Sequence, residues 1–545
     1  MSSKRRKKNG FLVQGGLLAA ASLIVRFIGM VYRIPMANIL GEQGNGIYGL
    51  AFEIYDIVLI ISTYSMPLAL SKIISTQNAN HQYRNMGKTF KLASVFAFIS
   101  GGFFASLLFF GADFIESLYP KYPGVSIPLR VLAPTIFIVG FLGVIRGFFQ
   151  GKRTMMPTAV SQIIEQVVNA FVSVYAAYAF LHAHIGSKNQ AAWGAAGGTL
   201  GTCLGALAGL LFMIFIYMLY RPVKQKKERT DSHRNVLPTK DIYLILFATI
   251  IPIIISQTVY QISGIIDYYI FGNIMGARGV SGEVVSSYVG IYSSKYRTLC
   301  SVPIAISTAM ASSMMPSAAA SFAEGRLDKV KDKISSAVKF NMIIGFPCAV
   351  GLGVLGQPII KLLFPSSDYV FGGYIMLAGF AAIIFYALSN VTGGALQSID
   401  KMRTPVIHSA ISLLAHIVIV TALLKFTNVG IFALVIGNVT FPIGVFALNF
   451  YALKKYIGYK QEIIKTVLTP MSASLWMAII VFLLYWGLGY LLPSNIIRVI
   501  LSVIVGAFVY FVIFFFLRGI SKEELLEMPM GLRIYKLANR MRLME

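Results

Sequence analysis

Long apolar stretches alternate with short polar connections along the whole chain. Fourteen of these stretches reach the roughly 20 residues that a helix needs to cross a bilayer core. Their approximate limits are 11–39, 47–75, 89–112, 128–150, 157–182, 191–220, 242–272, 286–316, 335–360, 370–396, 405–424, 430–453, 466–491 and 496–517. A membrane β-barrel would instead show segments of about 10 residues with in-out alternation. Runs such as FVIFFFL at 511–517 are apolar on every face and do not alternate. With only helices or closed barrels able to satisfy the backbone in lipid, the pattern predicts an all-α polytopic membrane protein with 14 transmembrane helices.

The polar connections alternate in charge. Those that would share a side with the N-terminus hold 33 Lys and Arg, whereas the intervening ones hold only Lys121, Lys188, Arg278, Lys361 and Lys425. Lys and Arg are retained on the cytoplasmic side, so the bias predicts a multi-pass plasma-membrane protein with both termini cytoplasmic and an even number of spans. The N-terminal KRRKK followed by an apolar run has the look of a signal peptide, but the run continues through Arg26 and Arg33 to about residue 39. The first helix is therefore expected to remain uncleaved.

Composition sharpens this picture. Hydrophobic residues make up 57% of the 545 positions and charged residues only 12%, too few to cover a set of soluble domains. The formal net charge of +26 by itself points to a polyanionic partner, but its spread over eight short connections makes it a topology signal, and no nucleic-acid partner is expected. The three cysteines, Cys203, Cys300 and Cys348, lie in apolar runs without CxxC spacing, so neither a disulfide framework nor a zinc site is indicated. GLGVLG at 351–356 matches a dinucleotide-binding pattern but lacks the preceding strand. His182, His184, His408 and His416 have no partners at metal-ligand spacing. No catalytic residues, metal or organic cofactor are expected, and the chain does not read as an enzyme.

The chain also resembles itself. PLALS at 67–71 recurs as PIAIS at 303–307, and GFFQGKRTMMP at 147–157 as GALQSIDKMRTP at 394–405, with offsets of 236 for the prolines and 247 for Gln150 and Gln397. The expected organisation is a six-helix bundle at 1–220, a basic cytoplasmic linker at 221–241, a second six-helix bundle at 242–456, two additional helices at 457–518 and a basic tail at 519–545. Two even-numbered copies have the same orientation, so the bundles are expected to be related by a pseudo-two-fold axis along the membrane normal. This arrangement suits alternating access. Prolines at 67, 252, 303, 347 and 442 fall within spans and offer bending points.

Nine cations remain in or at the ends of spans: Arg26, Arg33, Lys72, Arg130, Arg146, Lys295, Arg297, Lys339 and Arg498. A charge at mid-bilayer costs about 2.5–3.5 kcal/mol on insertion scales, so such residues usually face a cavity or a partner. Arg26 and Arg33 are two helical turns apart and share one face of the first span. With Lys295 and Arg297 in the eighth span, they form the candidate substrate-binding set. Glu53 and Asp56 in the second span and Asp267 in the seventh are candidate structural or coupling carboxylates. Lys72, Arg146 and Lys339 read as anchors near cytoplasmic ends. The glycines at 194, 198, 201, 205 and 209 form a stripe that lets a neighbouring helix approach closely.

The early RFIGMVYR at 26–33, the PLALS-like segment, GFFQG at 147–151 and the 6+6+2 arrangement together resemble the multidrug/oligosaccharidyl-lipid/polysaccharide exporter superfamily. Within its polysaccharide-transport branch, the chain looks most like the lipid II flippases of Gram-positive bacteria and the related stage V sporulation proteins. The resemblance implies that an undecaprenyl-diphosphate-linked peptidoglycan precursor is turned from the inner to the outer leaflet through a cationic central cavity. By residue match, the family's cavity arginines fall on Arg26 and Arg33, and its eighth-helix cation on Lys295 or Arg297. Gram-negative members carry arginines in the second helix, where 57–71 of this chain has no cation and Glu53 and Asp56 stand instead. The final two helices are implied to border a groove for the polyprenyl tail.

The implied partners are a lipid-linked diphosphate glycan, membrane lipids and the cell-wall synthesis machinery. Membrane potential or a coupling ion, Na+ or H+, is the implied energy source. Arginine suits a diphosphate because its fork donates bidentate hydrogen bonds and stays charged. The alternatives are an exporter of another polyprenyl-linked glycan or a small-molecule antiporter of the same superfamily, and behind these a membrane-embedded transferase or a scaffold for envelope synthesis.

Overall fold

The computed structural model describes residues 2–231, 237–527 and 531–541, and every regular element in them is helical. Arg234 of the linker and Arg542 of the tail, both counted in the charge bias, lie outside the described residues. The chain divides into two compact units, Met1–Gly290 and Ile291–Glu545.

The first unit contains α1 (Ser2–Leu59), a π-helical stretch Ile60–Tyr64, α2 (Met66–Ala79), α3 (Tyr83–Phe110), the short α4 (Ala112–Leu118), α5 (Ser126–Gly151), α6 (Met156–Ala183), α7 (Gln190–Arg229), α8 (Thr239–Ala277) and α9 (Gly282–Ile291). Gly41 interrupts α1 with φ 65° and ψ −175°, a conformation open to glycine, and this break separates the first two predicted spans. At the linker end, Leu70 and Ile74 of α2, Met86 of α3, Phe148 and Phe149 of α5, Met213 of α7 and Leu246 of α8 form a single buried cluster.

The second unit opens with a π-helical stretch, Tyr292–Arg297. It continues through α10 (Thr298–Ala323), α11 (Leu327–Leu363), α12 (Tyr369–Gly379), α13 (Ala381–Ser398), α14 (Arg403–Phe426), α15 (Phe432–Ile457), a third π stretch Ile464–Leu468, α16 (Thr469–Gly487), α17 (Asn495–Phe516), α18 (Lys522–Glu527) and α19 (Gly531–Arg540). α12 and α13 meet at Phe380 with a bend of 44°. Met477 and Val481 of α16, Tyr510 and Phe514 of α17, and Leu525 and Ala538 of the tail helices share one apolar cluster.

Among the described residues, 11 helices are long and apolar enough to cross a membrane, or 12 with the bent α12–α13 pair taken as one span. The molecule is thus a multi-pass helical membrane protein. The close glycine contacts expected from the stripe at 194–209 are present: a Cβ on Gly205 would lie 2.6 Å from the Glu165 carbonyl oxygen, and one on Gly201 would lie 2.7 Å from that of Asn169. Packing this tight is open only to glycine and draws α7 against α6 along most of their length.

Two pairs of turns share one backbone shape. After α2, His81 (φ 57°) closes a turn in which the Gln82 amide donates to Gln77 O at 2.9 Å. After α10, Gly325 (φ 72°) closes the same turn with Arg326 N to Ser321 O at 3.0 Å. After α5, Arg153 (φ 61°) is followed by Thr154 N to Phe149 O at 3.0 Å. Its counterpart after α13 is Asp400 (φ 60°) with Lys401 N to Leu396 O at 3.0 Å. The second pair keeps the register of Gln150 and Gln397.

The proline match does not keep its register. Pro67 precedes the His81 turn by fewer residues than Pro303 precedes the Gly325 turn, so the two prolines lie at different depths from the repeated turn. The short PxAxS pattern recurs in long apolar helices without marking one position. The first compact unit runs on past the linker expected at 221–241. α8 and most of α9 pack in the first unit, where Lys121 Nζ donates to Val280 O at 3.2 Å and Tyr122 Oη to Tyr268 O at 3.2 Å. Gly46 of α1 lies directly against the Ser286 carbonyl, and Gly290 against that of Glu42.

Candidate functional site

In the first span, Gly29 packs against Gln166, which a Cβ would meet at 3.1 Å, and the Tyr32 hydroxyl accepts from Asn169 Nδ2 at 3.4 Å. Met36 is buried beside Gly198. These contacts seat one face of α1 on α6 and α7. At about 100° per residue, Arg26 and Arg33 lie together roughly 50° round from Gly29, at the edge of the seated face. Both side chains are exposed. Arg33 is nevertheless densely surrounded by protein, within electrostatic reach of Tyr32, Tyr48 and Asp56. Arg33 therefore stands at the edge of the packed helices, with Tyr32, Tyr48 and Asp56 as its electrostatic neighbours.

The carboxylates take separate places. Glu53 is half-buried and its carboxylate rests directly on Gly264 of α8. Asp56, one turn on and half-buried, faces the Arg33 and Tyr48 environment. Asp267 is 6% exposed and acts on Tyr122 of the α4–α5 connection, where burial holds the phenol well above its usual range and Tyr268, Tyr119 and Asp267 add to the effect. Asp267 therefore falls in the first unit, while Lys295 and Arg297 fall in the second.

Lys295 and Arg297 lie in the π stretch Tyr292–Arg297, whose wider turn is an arrangement often found at functional sites. The two cations differ in accessibility. Lys295 is 2% exposed, with its ammonium 5.7 Å from the Phe364 ring centroid, whereas Arg297 is half-buried. Between them Tyr296 is fully buried, its hydroxyl 3.0 Å from both Gly379 O and Asn438 Oδ1, and Asn438 Nδ2 donates to Tyr386 Oη at 3.2 Å. This network fixes the stretch from which Arg297 projects.

The second unit also forms a half-open cavity of about 810 Å³ whose walls are almost wholly apolar. Met342 and Phe346 of α11, Phe380 and Phe385 at the α12–α13 bend, Phe446 and Phe450 of α15 and Met471 of α16 line it.

Two cations read from sequence as anchors are instead paired. Arg146 of α5 binds Glu165 of α6 at 2.7 Å and donates from Nε to Ser161 Oγ at 2.9 Å. Lys339 of α11, 4% exposed, binds Glu524 in the tail. Sequence reasoning passed over Glu165 and Glu524. For Glu165 a signal was available: Ser161, Glu165, Asn169 and Ser173 recur every four residues in an apolar span and so form one polar stripe facing the glycines of α7. Glu524 lies far from Lys339 in sequence and gave no comparable sign.

Exposed arginines on α1, a second cationic stretch held by a buried polar network and a large apolar cavity are thus set in a polytopic helical membrane protein. The polysaccharide biosynthesis protein family matches residues 12–322, and the MatE family matches residues 252–421. The chain belongs to the polysaccharide biosynthesis protein family. It is 25% identical over 522 residues to lipid II flippase MurJ of Bacillus subtilis (strain 168), covering 91% of this chain and 93% of the relative. It is 22% identical over 456 residues to stage V sporulation protein B of the same organism, covering 84% and 86%. Among solved structures, lipid II flippase MurJ in an inward closed conformation superposes with a TM-score of 0.65 at 15% identity, over 91% of this chain and 97% of that one. The chain thus stands among flippases and transporters rather than enzymes.

Proposed function

We propose that the protein flips a polyprenyl-diphosphate-linked glycan, with the peptidoglycan precursor lipid II as the favoured substrate, from the inner to the outer leaflet by alternating access. The observation that carries this reading is the pair Arg26 and Arg33, exposed on one face of α1 with Arg33 enclosed by protein. A diphosphate with its sugars cannot cross hydrocarbon unaided, since each unpaired polar group costs several kcal/mol. A wet path lined by guanidinium groups removes much of that barrier. Arg297 is the proposed second contact, and the buried Lys295, 5.7 Å from the Phe364 ring centroid, is proposed to hold the stretch against the end of α11. The apolar cavity of the second unit is the proposed berth for the polyprenyl tail.

This reading takes fourteen spans, counting α1 as two across Gly41 and α8 as one more. It places both termini in the cytoplasm and assigns α1–α7 and α8–α15 to the two repeats, with α16 and α17 added. An inside-negative potential favours outward movement of anionic charge by about 2.3 kcal/mol per charge per 100 mV, which gives flipping a direction. If flipping also depends on Na+ or H+, the buried Asp267 is the proposed coupling carboxylate.

The test is to replace Arg26 or Arg33 by alanine and measure lipid II exposed on the outer leaflet at matched protein levels. Exposure is expected to fall at least tenfold if each lost contact resembles a charge-assisted hydrogen bond of about 1.5–3 kcal/mol. Unchanged exposure overturns the assignment. The similarity to a sporulation protein favours a second reading, in which another polyprenyl-linked glycan is carried. Accumulation of that glycan lipid rather than lipid II on depletion would select it.

A further inference from the structure

The linker end of the first unit holds a cluster of cations outside the proposed flipping path. Lys152, directly after α5, is half-buried, and its ammonium lies 3.1 Å from the Tyr220 ring centroid, 5.6 Å from that of Phe148 and 5.5 Å from that of Phe149. Lys227 of α7 lies 5.1 Å from the Tyr83 ring centroid and is close enough to repel Lys152. Among the described residues, neither ammonium forms an ion pair.

The nearby acids are committed elsewhere. Glu228 pairs with Lys224 at 3.4 Å and its carboxylate packs on Gly87. Asp231 Oδ2 accepts from the Arg84 amide at 2.8 Å. The other cations are tied to backbone oxygens: Arg84 Nε donates to Glu228 O at 3.2 Å, and Lys88 Nζ to Leu237 O at 2.7 Å. Two like charges are therefore held within electrostatic reach of each other, half-buried and without an ion pair among the described residues. Burial and then the Lys227 charge lower the Lys152 ammonium to a pKa of about 8. A simple topology signal needs none of this, since exposed lysines such as Lys226 already serve it.

We infer that Lys152 and Lys227 form a binding site for a phosphate group, carried either by an anionic lipid headgroup at the membrane edge or by free phosphate. The oxygens of a phosphate can accept from the donors of either ammonium, and the rings of Tyr220 and Tyr83 suit the boundary between lipid and water. This site is independent of the flipping assignment, because it lies on the α5–α6 turn and the end of α7 rather than on the arginine face of α1.

The test uses the full-length protein in phosphatidylcholine vesicles, titrated with inorganic phosphate in one arm and reconstituted with increasing phosphatidylglycerol in the other. The readouts are the thermal midpoint and the lipid retained on release into native mass spectrometry. A response to inorganic phosphate identifies the free anion as ligand, and a response confined to phosphatidylglycerol identifies the headgroup. In either case K152Q/K227Q is expected to bind about 25-fold more weakly, from about 1 kcal/mol per cation near a membrane surface. K152R/K227R is expected to retain most of the response. Single K227Q, at a half-exposed position, is expected to weaken binding about fivefold and covers the case in which the double variant does not fold. Equal responses of the wild type and K227Q to both probes overturn the inference.

Discussion

Glu524 places both carboxylate oxygens 2.8 Å from the ammonium of Lys339, a residue 185 positions earlier in the chain. The carboxylate is held for this contact by its own helix start. Ser521 and Glu524 form a reciprocal capping box, with Ser521 N donating to Glu524 Oε2 at 2.9 Å and Glu524 N to Ser521 Oγ at 3.3 Å. Lys339 is buried and Glu524 is 42% exposed in its side chain, so the two are not equivalent.

The first prediction follows from that asymmetry. E524Q leaves a buried ammonium without its counter-charge and is expected to release the tail, at a cost on the order of 1–3 kcal/mol. K339M leaves a glutamate that water can solvate and is expected to cost less. Burial alone would raise the Glu524 pKa, but the hydrogen bonds from Lys339 and Ser521 outweigh it and hold the carboxyl below its usual range. A depressed carboxyl contributes stability above its unfolded pKa and loses it as pH falls through the folded value. Tail docking is therefore expected to weaken below about pH 4.5 in the wild type. Hydrogen–deuterium exchange of the tail amides, followed against pH and corrected for the intrinsic exchange rate, measures both effects.

The second prediction concerns Arg146 and Glu165. Removing one partner of an intramembrane pair strands the other, whereas removing both does not. R146M and E165M are each expected to lower the melting midpoint more than R146M/E165M does. A double-mutant cycle on the purified protein should give a coupling on the order of 1–3 kcal/mol.

A third prediction contrasts glycines on the same stripe. At Gly209 a Cβ would meet nothing nearer than 3.4 Å, so G209A is expected to be neutral or to stabilise by up to about 1 kcal/mol through helix propensity. At Gly205 the Glu165 carbonyl lies 2.6 Å from the new carbon, so G205A is expected to push α7 from α6 and destabilise by about 1–3 kcal/mol. Equal effects at the two positions would contradict the packing described for this seam.

The fourth prediction is a pH effect in the alkaline range. Lys152 has a folded pKa lowered to about 8 from 10.5, so the unfolded chain binds the proton more readily between these values. Stability is then expected to rise with pH across that window as the folded protein escapes the cost of a caged, repelled charge. The groups facing Lys152 are Tyr220 and Lys227 on α7, with Phe148 and Phe149 on its own helix. In K152M the thermal midpoint should lose that part of its pH dependence.

Much of the architecture was legible because lipid removes ambiguity. A backbone with no water to bond must satisfy itself, so each long apolar run had to become a helix, and α3, α5, α6, α14, α15 and α17 fall close to their expected limits. The glycine stripe on α7 was legible for the same reason, since small residues every few positions have few uses in a span other than close packing. The partners of Arg146 and Lys339 were harder to see. Distance from a span end suggests an interfacial anchor, but only the folded chain shows that Glu165 and Glu524 reach these cations. The spacing of Arg26 and Arg33 gave their shared face, while the enclosure of Arg33 by Tyr32 and Tyr48 required the helices to be assembled.

The turns after α5 and α13 bend the chain through the same left-handed residue, yet one uses Arg153 and the other Asp400. Two turns of one main-chain shape thus carry opposite charges, a cation after α5 and a carboxylate after α13. The curve of a helix end is set by its hydrogen bonds and tolerates either sign, so what each turn can attract is decided by its side chain alone.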